Sequence, residues 1–413
     1  MQTSENLLEF DSSQPRERRT IMNSTQRGFI SIIRSAITGQ PNILPEDFDL
    51  ATAAAIAKKH QIIPILFYGA QQCGISEKDP LMRKLFISTC QYLSVSERQM
   101  QEVEQIFAAF EEAGIDYMPL KGTLMKSMYP KQEMRPMSDA DILIRYEQYE
   151  DRIKGIMESL GFQEGRTSDN ELVWERPCAY IELHRRLLPS YNKDYYAYYG
   201  DGWRLAKCQQ GSRYAMSDED QMVFLFTHFA KHYRDAGIGI RHLVDIQVYL
   251  DKHPALDQAY IREQLKQLQL CEFYDNILKT LQVWFEDQKP DQVVEFITQI
   301  VFNSGVYGTE QAHVLSDALK LSKKAGKSRK IRQRKLLAEG FPDYSYMCIR
   351  YPKLKGKKIL LPAYWVARLV TALFSRDKVI SKRKKRLDYI SDENVSDYQQ
   401  ALNFVGLDFN FKE

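Results

Sequence analysis

The chain has 413 residues, 44% hydrophobic and 27% charged, with a net charge of +3. That length exceeds what one compact core organises, so more than one domain is expected, and the near-neutral balance excludes a polyelectrolyte. Cys73, Cys90, Cys178, Cys208, Cys271 and Cys348 are scattered, with no C-x-x-C pair or Cys/His cluster, which argues against structural zinc and a disulfide framework and fits a reducing cytosol.

Residues 1–25 are polar, hold Pro15 among charges and lack the apolar segment of a secretory signal; they read as a flexible tail. No apolar run reaches the roughly 18 residues of a membrane helix, so a cytoplasmic protein is expected, with peripheral membrane attachment left open. From Gln26 the spacing Phe29, Ile32, Ile33, Ile37 is helical. Leu50 to Gln71 reads as two helices broken near Ile63-Pro64, with His60 a polar residue at the helix end. Asp79 to Glu112 reads as two more helices, with Leu85, Tyr92, Leu93, Val103, Ile106, Phe107 and Phe110 as core positions and Gly114 as the stop.

The apolar run Ile115 to Leu120 predicts a strand, and Gly122-Thr123 then opens a helix. Such a junction offers free backbone N–H groups and a positive helix end to a phosphate, with Lys121 as an added point charge. If Asp139-Ala140-Asp141 opens the next strand, alternation puts both carboxylates on one face. Like charges that close are costly unless a cation lies between them, and hard oxygen ligands suit Mg²⁺. Tyr180-Ile181-Glu182-Leu183-His184 alternates likewise and supplies Glu182 as a third acid, enough to grip two metal ions. Acidic pairs at strand edges are also common solvated features; Gly122-Thr123 before and Glu182 after favour the metal reading.

Gly122-Thr123, then Asp139-Ala140-Asp141 among hydrophobics, then a lone acid on a later strand, resembles the nucleotidyltransferase superfamily typified by DNA polymerase beta. Leu120-Lys121-Gly122, Tyr129-Pro130, Arg135 and the Ser138-Asp-x-Asp wording are similar to a bacterial branch, the uncharacterised nucleotidyltransferase family, whose members often sit in polysaccharide or peptide-natural-product contexts. The similarity is sharpest over about residues 115–186 and extends loosely to about residue 250, with Gly-Thr in place of the usual Gly-Ser. It implies an enzyme dependent on Mg²⁺ or Mn²⁺ that moves an NMP from an NTP such as ATP to a hydroxyl acceptor.

A helix is expected at Tyr146 to Leu160, then short strands at Phe162 to Gly165 and Leu172 to Arg176, before the Glu182 strand. The fold class is therefore α+β: a small mixed β-sheet core with helices on one side, embedded between N-terminal and C-terminal helical regions. No G-x-G-x-x-G supports a dinucleotide-binding unit. Residues 189–203 form a tyrosine-rich loop that either stacks on a base or sugar or packs its rings on the body.

Ser217 starts a helix to about Tyr233, on which His228 and His232 share a face; a second, Ile240 to Leu250, carries Arg241 and Asp245. No glutamate follows His228, which excludes the metalloprotease motif. Two readings stand. In one the helices line the cleft: the histidines bond phosphate or acceptor, Arg241 offsets triphosphate charge, and Asp245 holds Arg241 or a histidine. In the other they form a satisfied inter-helix network. The family resemblance implies the first, through a similar His, His, Arg and Asp set after the core.

From Pro254 to about Leu321 the pattern is helical without assignable chemistry. A basic segment Lys320 to Lys335, an apolar stretch Lys358 to Phe374 and a second basic run Lys382 to Arg386 follow. This suits an anionic membrane surface, a nucleic-acid patch, or a solvated basic face over a core helix. The expected division is a tail at 1–25, a helical region at 26–112, the catalytic core at 113–190, a helical domain completing the cleft at 191–320 and a basic region at 321–413.

The expected site has Asp139, Asp141 and Glu182 as metal ligands and catalytic acids, Glu182 either completing a second metal site or acting as general base. Lys121, Gly122, Thr123, Arg135, Ser138, His228, His232, Arg241 and Asp245 are the nucleotide-binding set. The acceptor is a small molecule, sugar or peptide; the alternatives are protein or RNA modification, toxin-like in role, and a non-catalytic protein that binds membrane or nucleic acid through its basic region.

Overall fold

The computed structural model describes residues 22–325 except 169, 178, 191 and 287, and residues 341–408 except 343, 355, 375–385 and 387. The tail before residue 22, most of the basic segment ending at Lys335 and the run Lys382 to Lys385 lie outside the described residues. Two compact units emerge among them. One comprises Arg234–Ala236 and Gly308–Phe404; the other takes in the chain up to Tyr233, Gly237–Tyr307 and the residues from Val405 on.

In the larger unit, α1 (Ser24–Thr38), α2 (Leu50–Lys59) and α3 (Ile63–Gln72) come first. Pro64 sits at the start of α3, where its missing N–H costs nothing. Gly69 lets α3 lie on α1, since a Cβ there would come 2.0 Å from the Ile32 carbonyl oxygen. Then α4 (Pro80–Ala113) runs unbroken for 34 residues, where two helices were expected. Nothing between Leu81 and Ala113 is glycine or proline, so nothing forces a break.

The sheet has seven strands in the order β3-β4-β5-β2-β1-β7-β6. They are β1 (Tyr117–Pro119), β2 (Ala140–Ile144), β3 (Gln163–Glu164), β4 (Glu171–Arg176), β5 (Ala179–His184), β6 (Lys207–Gln210) and β7 (Arg213–Ala215). Both parallel and antiparallel pairs occur, so the α+β class with a mixed sheet holds. The β6–β7 hairpin was not anticipated, because Lys207 to Ala215 is polar and lacks alternation.

One face of the sheet is the core. Ala140, Ile142 and Ile144 of β2 and Ala179, Ile181 and Leu183 of β5 are buried there with Val103, Ile106, Phe107 and Phe110 of α4. Ile153 and Met157 of α6 (Tyr146–Ser159) join the same cluster. Alternation leaves Asp141, Glu182 and His184 for the other face.

The tyrosine-rich stretch forms a helix, α7 (Lys193–Tyr199), where a loop was expected. Its Tyr195 and Tyr199 are buried, and the Tyr199 hydroxyl bonds Thr227, so ring packing rather than ligand stacking occupies them. Next come α8 (Asp218–Ala236), capped by the Ser217 side chain, α9 (Ile240–Lys252), α10 (Gln258–Gln267), α11 (Cys271–Glu286) and α12 (Gln292–Ser304).

In the smaller unit, α13 (Glu310–Ala325) packs with the helix Asp392–Phe404, whose Tyr398 hydroxyl donates to the Arg234 carbonyl at 2.8 Å. A second cluster there buries Met347, Cys348 and Leu354 under Tyr364 and Trp365. Of the basic runs, Lys320 pairs with Asp235 at 2.7 Å and Arg386 pairs with Glu310. No helix among the described residues is long and apolar enough to cross a membrane.

His60 sets the placement of α9. Fully buried at the end of α2, it accepts from the Ile240 N–H through Nδ1 at 3.1 Å and meets the Phe302 carbonyl through Nε2 at 3.2 Å. The ring therefore carries its proton on Nε2 and ties α2 to the start of α9 and the end of α12. His60→Ala strands the buried Ile240 N–H, worth about 1–3 kcal/mol, while the Phe302 carbonyl keeps its bond from Lys59 Nζ at 3.3 Å. Urea denaturation should show a loss of about 1–3 kcal/mol; a loss within about 0.5 kcal/mol would make the tie dispensable.

Candidate active site

Strands β2 and β5 are parallel and pair Asp141 with Glu182, while Leu143 pairs with His184. Direct pairing puts the Asp141 and Glu182 side chains side by side on the face away from α4 and α6, and the period of two adds His184 to that face; Asp139, expected to open the strand, lies in the bend just before β2. One donor atom each from Asp141, Glu182 and His184 lies within 4.8 Å of the others. His184 Nε2 is 2.7 Å from Asp141 Oδ1 and 3.5 Å from Glu182 Oε2. Asp139 is outside that tight group but feels it. Burial, with the charges of Asp141 and Glu182, pushes its carboxyl up to about 6.

Lys121 answers part of this negative charge. Its Nζ lies 2.6 Å from Asp141 Oδ1. Burial alone would raise the Asp141 carboxyl, but Lys121 and His184 together hold it well below the usual carboxylate range. His184 is raised: burial and Lys121 pull it down, and its bonds to Asp141 and Glu182 outweigh them. Lys121 takes φ +44°, in the left-handed region, just where β1 turns into α5 (Lys121–Met125). For a residue with a side chain that costs about 1–3 kcal/mol and persists only when surroundings over-determine it.

The helix opened by Gly122-Thr123 is only five residues long, less than a helix with a developed dipole. Gly122 is buried against Met137, whose Cγ would lie 3.1 Å from an added Cβ. The Thr123 hydroxyl is buried and points to the Met137 sulfur at 3.8 Å. Ser138 is exposed and bonds the Tyr307 hydroxyl at 2.9 Å.

Arg135 and Asp245 meet in the interior, Nε to Oδ1 at 2.6 Å, and the Tyr129 hydroxyl donates to the same oxygen at 2.7 Å. Asp245 thus holds Arg135 and Tyr129 rather than Arg241 or a histidine. Arg241 donates through its terminal nitrogen to the Pro136 carbonyl at 3.2 Å, while its Nε is buried with no hydrogen-bond partner. Burial, with Arg135 nearby, pulls it down to about 10.

His228 and His232 meet Nε2 to Nε2 at 3.0 Å, and His242 of α9 lies beyond, its ring centroid 6.2 Å from that of His232. Burial first, then the neighbouring cations, lowers all three well below the ordinary histidine value, His242 to about 3. Lys121 is among the charges felt by His228 and His232, and Asp141 by His232, so this wall faces the acids.

The structure therefore brings Asp139, Asp141, Glu182 and Lys121 together with His228 and His232 close by. It commits Arg135 and Asp245 to each other and buries Thr123. Sequence reasoning missed His184, His242, Tyr129 and Asn170. His184 was reachable by the rule that gave Asp141: it stands two residues after Glu182 on one strand.

A sequence model of the uncharacterised nucleotidyltransferase family matches residues 46–286, more than half of the chain, and the chain belongs to that family. It is by class a nucleotidyltransferase. No curated protein matches the sequence. Among solved structures, the solution structure of the antibiotic-resistance factor ANT(2'')-Ia is similar over 47% of this chain and 100% of that chain, at 13% sequence identity and a TM-score of 0.31.

One buried and three half-buried histidines give a pH signature. His60, lowered to about 4 chiefly by burial, behaves like His228, His232 and His242. Each binds its proton less readily folded than unfolded, so their stabilisation is complete above about pH 6.5 and is lost as the pH falls toward the folded values. Asp139 and the raised His184 act oppositely, Asp139 costing stability as the pH rises from 3.8 to about 6 and His184 losing its contribution as the pH rises above about 6.5, but they are two groups against four. The melting temperature in cation-free buffer should fall steeply from about pH 7 to about pH 5. A flat or rising profile would contradict neutral buried imidazoles.

Proposed function

We propose that the chain transfers a nucleoside monophosphate from an NTP to a hydroxyl acceptor at the acids of β2 and β5, with Mg²⁺ or Mn²⁺ as cofactor. The observation that carries this is the direct pairing of Asp141 with Glu182 on parallel strands, with Asp139 just before β2 feeling the charge of both. The donor set fits a divalent cation: Asp141, Glu182 and His184 offer converging donor atoms, and Asp139 is left with charge that neighbouring carboxylates oppose. When bound, the cation would orient the triphosphate and offset its charge.

The chain's own groups supply the rest. Asp139 and Asp141 hold the cation, and Glu182 either completes its binding or takes the proton of the attacking hydroxyl. Lys121 can turn from Asp141 to a phosphate oxygen once the carboxylate is otherwise neutralised. The neutral imidazoles of His228 and His232 can donate to a phosphate or acceptor oxygen. Arg241 has a buried Nε without a partner to offer the triphosphate. Arg135 and Asp245 brace α9 against the segment before Asp139, and Ser138 sits at the rim.

On this reading residues 113–190 are the catalytic core, and α8 and α9, within the expected 191–320 part, form the facing wall. Neutral imidazoles suit a small hydroxylated acceptor, a sugar or a peptide hydroxyl; protein or RNA labelling by the same chemistry is the alternative. The double variant Asp139→Asn, Asp141→Asn should lose divalent-dependent NTP turnover while its circular dichroism stays unchanged; turnover retained by the purified variant refutes the assignment. A thermal-shift panel of four NTPs with and without Mg²⁺ identifies the nucleotide, because only a ligand of the folded state raises its apparent stability.

A second reading concerns the C-terminal part. In the smaller unit Ile359 is 94% exposed, Val366 60% and Val370 44%, beside exposed Lys357 and Lys358. An outward apolar stripe with flanking lysines favours attachment to an anionic membrane surface. Phosphatidylserine vesicles should retain the full chain at low salt better than phosphatidylcholine vesicles, and Val366→Asp should release it. Equal retention on both, or stronger retention on an oligonucleotide, counts against the membrane.

A further inference from the structure

The metal reading above leaves two observations unexplained. The donor nearest to Asp141 in the acidic group is not a carboxylate but the His184 imidazole, buried to 3% exposure. The group on its far side is also incomplete. Asn170, 7% exposed, points its Nδ2 at His184 Nδ1 from 3.4 Å, and its Oδ1 is buried without a hydrogen-bond partner. A buried amide oxygen left unbonded costs about 1–3 kcal/mol, so such an atom calls for a reason.

One arrangement accounts for both. With Nε2 bonded to Asp141 and Nδ2–H turned to Nδ1, the ring keeps its proton on Nε2. A cation at Nε2 needs the lone pair there and the proton on Nδ1. Rotating the Asn170 amide by half a turn then presents the unbonded Oδ1 to the Nδ1–H. The orphaned oxygen gains a partner, and the ring is fixed in its ligating tautomer. Imidazole ligands commonly donate their other N–H to such an acceptor, which orients the ring and raises its basicity.

We propose that His184 is a nitrogen ligand of the divalent cation, that Asn170 is the residue positioning it, and that the centre consequently prefers Mn²⁺ or a later first-row divalent to Mg²⁺. The inference rests on the metal-dependent reading of the Asp141–Glu182 pair and specifies which ion that pair takes. Mg²⁺ demands oxygen and keeps much of its water, whereas imidazole suits transition-metal ions. Three oxygen donors alone would not discriminate in this way; the nitrogen supplies the difference.

The test is pulsed electron paramagnetic resonance on the full chain titrated with Mn²⁺, with and without an NTP. The expected result is nitrogen modulation of the imidazole type on the bound ion, lost in His184→Gln, and binding of Mn²⁺ at least about tenfold tighter than Mg²⁺. Asn170 variants separate orientation from packing. Asn170→Leu should weaken Mn²⁺ binding about 10–100-fold with the chain still folded. Asn170→Asp, which can only accept from Nδ1–H, should match or exceed the wild type. If Asn170 served only as a donor to the ring, the aspartate variant would instead fail. Bound Mn²⁺ without nitrogen modulation, or modulation that survives His184→Gln, overturns the His184 assignment while leaving the carboxylate site standing. No bound Mn²⁺ or Mg²⁺ under any condition overturns both.

Discussion

The parallel pairing of β2 with β5 in one register fixes the candidate site. Opposing Asp141 to Glu182 is a statement about backbone hydrogen bonds, yet it determines the electrostatics. A slip of one residue would turn Ile142 or Ile181 outward and send the acids into the apolar layer of α4 and α6, where an unpaired charge is prohibitive. The apolar alternation of each strand forbids that slip. The same side chains that pack the core therefore force two carboxylates together on the opposite face, and the energy for crowding them comes from burial elsewhere.

That crowding needs cations, and the chain supplies one of its own. Lys121 stands on Asp141 from a residue held in left-handed backbone. Gly122 follows, with the Met137 side chain 3.1 Å from where a Cβ would lie. The turn from β1 into α5 thus places a positive charge where acids meet, at a local conformational cost. Lys121 and His184 stand on Asp141, while burial first, and then the charges of Asp141 and Glu182, raise the Asp139 carboxyl to about 6. On the proposed function, a divalent cation would take up part of that negative charge.

Legibility in the sequence followed the range of the interactions. The Asp139-Ala140-Asp141 spacing and the Glu182 strand were readable because alternation is local. His184 obeyed the same rule but carried no chemical motif to single it out. Arg135 and Asp245 are 110 positions apart, and no pattern in the chain announces their pairing. Two helices were expected where the 34-residue α4 runs unbroken, and the stretch holds no glycine or internal proline to break it. The tyrosine-rich segment looked like a loop because polar residues flank it, and burial of Tyr195 and Tyr199 overrode that composition. The β6–β7 hairpin had no apolar alternation to reveal it.

The two walls of the site differ in a way that bears on the proposed chemistry. On one stand acids with a single lysine; on the other stand imidazoles kept neutral by burial. A free triphosphate approaching such acids meets repulsion that neutral rings do not relieve. The same triphosphate carried with a divalent cation meets donors on both sides, carboxylates for the cation and N–H groups for its oxygens. Charged histidines would have attracted the bare nucleotide and competed with the cation for its phosphates. On the proposed function, keeping them neutral would make entry of nucleotide and metal interdependent, and His60 and the Arg135–Asp245 bond hold α9 in the place that serves this.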